Sequence, residues 1–108
     1  DGNAAMAEAL DGAELLVNAT TLGGPLFPQL SPVSDLVELH SDLIVFDLIY
    51  WPPHTPLRRR AQAEGCVLVE GLEMLVEQGA LAFQAWTGMN PPLVAMREAA
   101  NRAVEVIR

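Results

Sequence analysis

Residues 43–71 read LIVFDLIYWPPHTPLRRRAQAEGCVLVEG, in which two short apolar runs flank a helical stretch. The runs occupy residues 43–46 and 66–69, and their continuous apolar character predicts strands buried inside a sheet. Between them Thr55 and Pro56 begin a predicted helix, because threonine caps free backbone amides and proline is tolerated at the first helical position. A strand, a helix and a strand within about 30 residues predict a βαβ unit, in which the strands run parallel.

The segments before this unit continue the alternation of helix and strand. Residues 3–10 have high helix propensity, and residues 15–17 form another continuous apolar run, which predicts a strand buried on both faces. Two glycines and three prolines between residues 22 and 34 exclude regular structure there, so we expect a long loop.

Two helices are predicted after the βαβ unit. The first covers residues 72–86, and one apolar face, which should pack against another element, is formed by Leu72, Leu75, Val76, Gly79, Phe83 and Trp86. The second follows two prolines, and its apolar side is formed by Leu93, Met96, Ala100, Val104 and Ile107. The sequence therefore predicts the α/β class, within part of one domain.

Composition excludes several classes of partner. With 14 acidic and 6 basic residues the chain has a net charge of -8, which disfavours binding to nucleic acids and to anionic membranes. No apolar run approaches the roughly 18 residues of a membrane span. The single cysteine, Cys66, cannot form an intrachain disulfide, so we expect a reducing, cytoplasmic location. The first residue is Asp1 rather than Met, which suggests a fragment or a processed product.

Polar residues follow each predicted strand. Asn18 and Thr20 follow the first strand, Asp47 and Tyr50 the second, and Glu70 the third. Because ligands of open parallel sheets bind beyond the carboxyl ends of the strands, these side chains could line one crevice. The same residue types also make turns and caps, and both interpretations remain open for each of them.

Gln78 interrupts a second, otherwise apolar stripe of the helix at residues 72–86. The stripe contains Met74, Leu81 and Ala85, so the lone amide must find polar partners. The residues alone favour a buried glutamine bonded to backbone over a ligand contact in an apolar wall.

Other candidate residues carry weaker signals. His40 and His54 have no partner at metal-ligand spacing, so no metal site is predicted. The run of three arginines at residues 58–60 is interpreted as a solvated helix face rather than a phosphate site. No serine lies in a nucleophile-elbow pattern, and no glycine-rich phosphate loop is present. The residues alone thus indicate an α/β domain with a crevice.

Three segments in order give this sequence a resemblance to a known family. They are Asn18-Ala19-Thr20, then Asp47-Leu48-Ile49-Tyr50 with Pro52 and Thr55-Pro56-Leu57, then Gly71-Leu72 through Met74-Leu75-Val76 to Gln78-Gly79-Ala80. Phe83 and Trp86-Thr87-Gly88 continue the third segment. In order and spacing the chain resembles the shikimate dehydrogenase family.

The resemblance implies a fold and an activity. Residues 1–108 would form the second half of a Rossmann-like NADP-binding domain together with closing carboxyl-terminal helices. The amino-terminal substrate domain, with its catalytic lysine and aspartate, and the glycine-rich loop are absent, so no catalytic residue is expected in this chain. The implied activity is NADP-dependent reduction of 3-dehydroshikimate to shikimate, which belongs to chorismate and aromatic amino acid biosynthesis.

The resemblance also assigns site residues by position. It places Tyr50 and Gln78 against the substrate and places Leu48 and Gly71 beside the nicotinamide end of the cofactor. The loop that begins with Asn18 and Thr20 should lie near the cofactor. For Gln78 the resemblance favours substrate contact, because an amide both donates to and accepts from hydroxyls. For Gly71 a missing side chain would let the backbone approach a flat ring.

Two residues depart from the family pattern, and several alternatives stay open. Glu73 stands where a small residue is common, which implies extra negative charge beside the nicotinamide. Trp51 stands where many members have asparagine, which could change the choice between shikimate and quinate. A non-catalytic binding module and a quinate dehydrogenase are the alternatives, and NADP is not distinguished from NAD by the residues present. We expect the isolated chain to be inactive, and either to self-associate through the open edge of its first strand or to be poorly stable.

Overall fold

The computed structural model describes residues 2–107, and the side chains of residues 2–105. Its elements in chain order are α1 (Gly2–Leu10), β1 (Leu15–Asn18), β2 (Ile44–Asp47), α2 (Pro56–Ala63), β3 (Val67–Glu70), α3 (Gly71–Thr87) and α4 (Leu93–Ile107). The predicted α/β class is confirmed, and each predicted helix and strand is present within about two residues of its expected limits. The expectation for the Ile107 side chain lies outside the described residues.

The three strands form one parallel sheet in the order β1-β2-β3. The register places Leu15, Ile44 and Val67 in one row across the sheet. It places the last residues of the strands, Asn18, Asp47 and Glu70, in another row. The predicted βαβ unit, β2-α2-β3, is therefore confirmed, and the polar residues that follow the strands share one edge of the sheet.

One face of the sheet carries the buried core. Val45 from β2 packs with Leu10 of α1 and with Leu57 and Ala61 of α2. The segment between β1 and β2 has no helix or strand, which confirms the loop predicted for residues 22–34, but several of its side chains are buried. Four of its residues are buried in the same core: Val33, Val37, Leu39 and Leu43.

The arginines of α2 hold surrounding segments in place, so their interpretation as a solvated face is wrong for two of the three. Arg60 donates through Nη1 to the Ser34 carbonyl at 2.8 Å and through Nη2 to the Val37 carbonyl. Arg58 is 8% exposed, and only Arg59 is fully on the surface. A long side chain can lie along its helix and reach backbone carbonyls of neighbouring segments, which the one-dimensional pattern does not reveal.

The opposite face of the sheet is uncovered, which corrects the prediction that β1 is buried on both faces. Leu15 is 53% exposed and Val67 is 58% exposed, and Val17 and Ile44 are exposed beside them. The physical reason is that α1 and α2 both contribute to the core on the other face. A continuous apolar strand thus signals a face that another element must cover, but it does not say whether this chain contains that element.

The two last helices form a pair. Gly88, with φ of 70°, ends α3 in the left-handed conformation. Gly79 of α3 faces α4, since a Cβ atom added at Gly79 would lie 3.4 Å from the Cε atom of Met96. The apolar face predicted for α3 is buried only in part, since Val76 is buried but Trp86 is 84% exposed. The radius of gyration is 15.8 Å, against about 13 Å for a compact domain of this length. No described helix is both long and apolar enough to span a membrane.

Candidate functional site

A buried network of side-chain hydrogen bonds closes the carboxyl ends of β1 and β2. Asp47 is fully buried, and its Oδ1 atom accepts from Asn18 Nδ2 at 3.1 Å and from the Ile49 backbone amide at 3.0 Å. Its Oδ2 atom accepts from the Thr55 hydroxyl at 2.6 Å. The Thr55 oxygen in turn accepts from the Arg58 backbone amide, which caps α2 as the sequence predicts. The carboxylate therefore joins two strand ends to the start of a helix.

Asn18 and Thr20 form a turn beyond β1. The side-chain oxygen of Asn18, Oδ1, accepts a hydrogen bond from the backbone amide of Thr20 at 3.0 Å and another from the Thr20 hydroxyl at 2.6 Å. The Asn18 amide donates to the Leu22 carbonyl, and the Thr20 hydroxyl oxygen accepts from the Leu22 amide. The turn-forming interpretation of both residues is confirmed. Contact of this loop with a cofactor stays a prediction.

Gly71, at the start of α3, lies against the backbone that follows β2. A Cβ atom at this position would be 2.5 Å from the Leu48 carbonyl oxygen and 2.7 Å from that of Asp47. Contact within the chain is therefore one reason for a glycine here, and the approach of its backbone to a flat ring stays a prediction. The same contact brings together Leu48 and Gly71, the two residues that the resemblance places beside the nicotinamide.

Tyr50 lies in the segment between β2 and α2 and is 44% exposed. It lines a cavity of about 300 Å³ together with Pro53, Arg58, Glu70, Leu72, Asn101, Val104 and Glu105. The neighbouring Trp51 is partly buried and is followed by a cis peptide bond to Pro52. The indole nitrogen of Trp51 is buried without a hydrogen-bond partner in the described part of the chain.

Gln78 is exposed, so the interpretation as a buried glutamine is wrong. Its Nε2 atom donates to the Leu75 carbonyl at 3.1 Å, one turn earlier in α3. The apolar members of its stripe, Met74 and Leu81, are exposed with it. Gln78 does not line the cavity at Tyr50, because it lies seven residues after Gly71, about 10 Å along the helix axis.

An ion pair that the sequence did not reveal joins α3 to α4. Arg97 donates to both carboxylate oxygens of Glu73, with Nε 3.1 and 3.2 Å away, and its Nη2 atom lies 3.6 Å from Glu77. Hydrogen bonding from Arg97 lowers the pKa of the Glu73 carboxyl below its ordinary value. The negative charge that the sequence introduces beside the predicted nicotinamide position is therefore compensated within the chain.

Another cavity lies at the other end of the sheet. It measures about 460 Å³ and is lined by residues that precede β1 and β2: Ala7, Glu8, Leu10, Asp11, Glu38 and His40. Among residues 2–107, no group of histidine, cysteine and acidic side chains is arranged to hold a metal ion. The carboxyl ends of the strands, with the Leu48–Gly71 contact and Tyr50, remain the candidate site.

The family model that matches is the Shikimate 5'-dehydrogenase C-terminal domain, over residues 71–100. A shikimate dehydrogenase (NADP(+)) from Archaeoglobus fulgidus is 48% identical over 98 residues, which are 90% of this chain and 36% of that relative. The chain is thus similar to the carboxyl-terminal part of shikimate dehydrogenases. It spans about a third of the length of the curated relatives it matches.

Solved structures of the shikimate dehydrogenase family show the same fold. Shikimate 5-dehydrogenase from Thermus thermophilus, in complex with NADP(H) and shikimate, gives a TM-score of 0.78 at 43% identity, covering 90% of this chain and 36% of that one. Quinate dehydrogenase from Corynebacterium glutamicum, in complex with NAD, gives 0.78 at 33% identity, covering 89% and 33%. The predicted resemblance to this family and the predicted α/β architecture with a parallel sheet are thus confirmed.

The sequence did not indicate the structural roles of two arginines or one of the hydrogen bonds of Thr55. Arg58 and Arg97 make contacts with residues 12 and 24 positions away, and no local pattern signals such pairs. Thr55 was recognised as a helix cap, but its bond to Asp47 was not. A threonine cap eight residues after an aspartate at a strand end is the only signal that could have indicated it.

Proposed function

We propose that this chain forms the second half of the cofactor domain and one wall of the active site of an NADP-dependent shikimate dehydrogenase. The observation that carries the proposal is the contact of Gly71 with the Leu48 carbonyl at the carboxyl ends of β2 and β3. Ligands of open parallel sheets bind at these ends. The contact lies within a chain that matches the carboxyl-terminal part of the family, and Tyr50 follows two residues after Leu48.

For the cofactor, the residues present fit a nicotinamide better than a phosphate. Leu48 and Gly71 together offer backbone and an apolar side chain without a charged group. Relatives are named as NADP(+) enzymes, and NADP would supply the hydride acceptor for oxidation of shikimate. Asn18 and Thr20 would shape the adjoining loop, since their polar atoms bond within the turn.

For the substrate, Tyr50 and Gln78 provide hydrogen-bonding groups at the surface. Tyr50 carries a phenolic hydroxyl, and Gln78 carries an amide that can donate and accept. Both residues are exposed, so neither must leave a buried position to meet a ligand. Shikimate has three hydroxyls and a carboxylate, which are groups that such side chains recognise.

The proton-transfer chemistry would come from outside this chain. The sequence contains no lysine, because all six basic residues are arginines. We therefore propose that residues 1–108 bind and orient, while residues upstream supply the catalytic lysine and aspartate of the family. Because it lacks these catalytic residues, the chain alone would be inactive.

The isolated chain would self-associate. β1 is an edge strand of the described sheet, and one sheet face exposes apolar residues of all three strands. Unpaired strand edges and large apolar patches both favour association.

The free thiol of Cys66 is in keeping with a reducing cytoplasm.

The proposal is tested with the extended protein, meaning this chain joined to the residues that its gene encodes upstream. Oxidation of shikimate and of quinate would be followed with NADP⁺ and with NAD⁺. We expect the highest kcat/KM with shikimate and NADP⁺. A preference for quinate would assign a quinate dehydrogenase, and no oxidation of either acid would favour a non-catalytic binding module.

A further inference from the structure

Arg58 is a buried arginine that joins two segments of the candidate site. Its Nη2 atom donates to Glu70 Oε1 at 2.8 Å, and its Nη1 atom donates to the Pro53 carbonyl. Its backbone amide donates to the Thr55 hydroxyl at 3.1 Å. The Arg58 side chain is 10% exposed, whereas the side chain of its partner Glu70 is 60% exposed, so the arginine is held in place and its ion pair lies at the surface. Charge-assisted hydrogen bonds of this kind are stronger than those between neutral groups.

The two segments are the ones that carry the proposed ligand contacts. Pro53 lies three residues after Tyr50, in the same segment between β2 and α2. Glu70 directly precedes Gly71 and is the residue before the first turn of α3, where no side chain bonds to the free helix amides. A single guanidinium therefore links the segment of Tyr50 to the residue that precedes Gly71.

The residues of this link also line the cavity beside Tyr50. Pro53, Arg58 and Glu70 all contribute to its lining, together with Tyr50 and Leu72. Without Arg58, the Pro53 carbonyl and the Glu70 carboxylate would each lose the partner that holds their backbone segments at this separation. Asn101, Val104 and Glu105 of α4 complete the lining, and none of them forms a hydrogen bond to Arg58 among the described contacts.

We infer that Arg58 is a positioning residue, which fixes the distance between the substrate contact Tyr50 and the cofactor contact Gly71. This inference rests on the proposed function and extends it to a residue that touches neither ligand. Small displacements of orienting groups reduce rates strongly, by about 100-fold for 1 Å in well-ordered sites. Loss of Arg58 would therefore affect binding of substrate and cofactor together.

The test compares Arg58→Gln with Arg60→Gln in the extended protein. Arg60 is a matched control, because it lies on the same helix, is similarly buried and donates to two backbone carbonyls, those of Ser34 and Val37. We expect both variants to lower the melting temperature. Only Arg58→Gln should raise the KM values for shikimate and NADP⁺, by about tenfold for shikimate, well within the loss that a misplaced orienting group causes.

Two further variants keep the test decisive. Arg58→Lys retains the charge and one hydrogen bond, so it should give intermediate KM values even if Arg58→Gln folds poorly. Glu70→Gln should reproduce part of the Arg58→Gln effect, and combining the two should add little, because they remove the same contact.

The different failures are distinguishable. If the unaltered extended protein oxidises shikimate while Arg58→Gln and Arg60→Gln differ only in melting temperature, the positioning role is refuted and the proposed function stands. Fully additive effects of Arg58→Gln and Glu70→Gln on KM would also refute it. If the unaltered protein oxidises neither shikimate nor quinate, the proposed function fails and the positioning role fails with it.

Discussion

The Asn18 side-chain amide donates a hydrogen bond of 3.1 Å to the buried Asp47 carboxylate, and so joins the ends of two parallel strands. Each residue is also the centre of a local turn, since Asn18 accepts from Thr20 and Asp47 accepts from Ile49. Hydrogen bonds of these two side chains therefore hold the strand ends and the turns that lead into the candidate site.

Replacement of Asp47 should destabilise the protein strongly. Asp47→Asn places an amide group among donors, so at least one of the three hydrogen bonds to the carboxylate is lost in a fully buried position. The expected cost is about 2–4 kcal/mol, from unsatisfied buried polar groups. Urea unfolding would measure it, with the exposed Asp42→Asn as control. Equal stability of the two variants would contradict the role of the network.

Two glycines of α3 should respond in opposite ways to alanine. Gly71→Ala would place a methyl group 2.5 Å from the Leu48 carbonyl oxygen, which forces the backbone apart and should cost about 1–3 kcal/mol or more. Gly79→Ala meets only the flexible end of Met96 at 3.4 Å and should stabilise the helix by about 0.5–1 kcal/mol. Thermal melting of both variants of the extended protein checks the pair. A Gly71→Ala variant as stable as the unaltered protein would rule out the backbone contact.

The Glu73–Arg97 pair should make stability depend on pH at the acid end. The pKa of Glu73 is lowered in the folded state from an ordinary value of 4.5, so the pair stabilises fully above that value and its contribution is lost as the pH falls through the lowered pKa. The unaltered protein should melt slightly above Glu73→Gln at about pH 7, and the difference should shrink as the pH falls below 4.5 and through the lowered pKa. A difference independent of pH would contradict the assignment.

Substitution of the two proposed substrate contacts should affect substrate binding more than cofactor binding. In the extended protein, Tyr50→Phe and Gln78→Ala should each raise the KM for shikimate by about 5- to 10-fold, the effect of one hydrogen bond of about 1 kcal/mol, with little change in the KM for NADP⁺. Gln84→Ala is the matched control, since Gln84 is another exposed glutamine of α3. If Gln84→Ala raised the KM for shikimate as much as Gln78→Ala does, Gln78 would not be a specific substrate contact.

Local patterns predicted the elements of this fold well, because apolar runs, helix caps and glycine or proline breaks are encoded within a few residues. Thr55 and Pro56 begin α2 as expected, and the parallel order of β2 and β3 follows from the helix between them. Burial was predicted less well. Leu15 and Trp86 are exposed, because no other part of the described chain packs over them. A pattern of apolar residues predicts that a side chain favours burial, but it does not show which element would cover it.

The candidate site was predicted in its location but not in its physical construction. The carboxyl ends of the strands collect the polar residues, as the topology requires. The reason for Gly71 and the compensation of Glu73 by Arg97 both arise from contacts between residues 23 and 24 positions apart. Such contacts depend on how helices pack, and the packing is not encoded in any short segment.

The central claim is that this chain supplies one wall of a shikimate dehydrogenase site whose catalytic groups lie upstream. The most direct measurement is NADP⁺-dependent oxidation of shikimate by the chain alone and by the extended protein, under the same conditions. We predict activity in the extended protein only. Activity of the chain alone would contradict the claim, because residues 1–108 contain no lysine to act in catalysis.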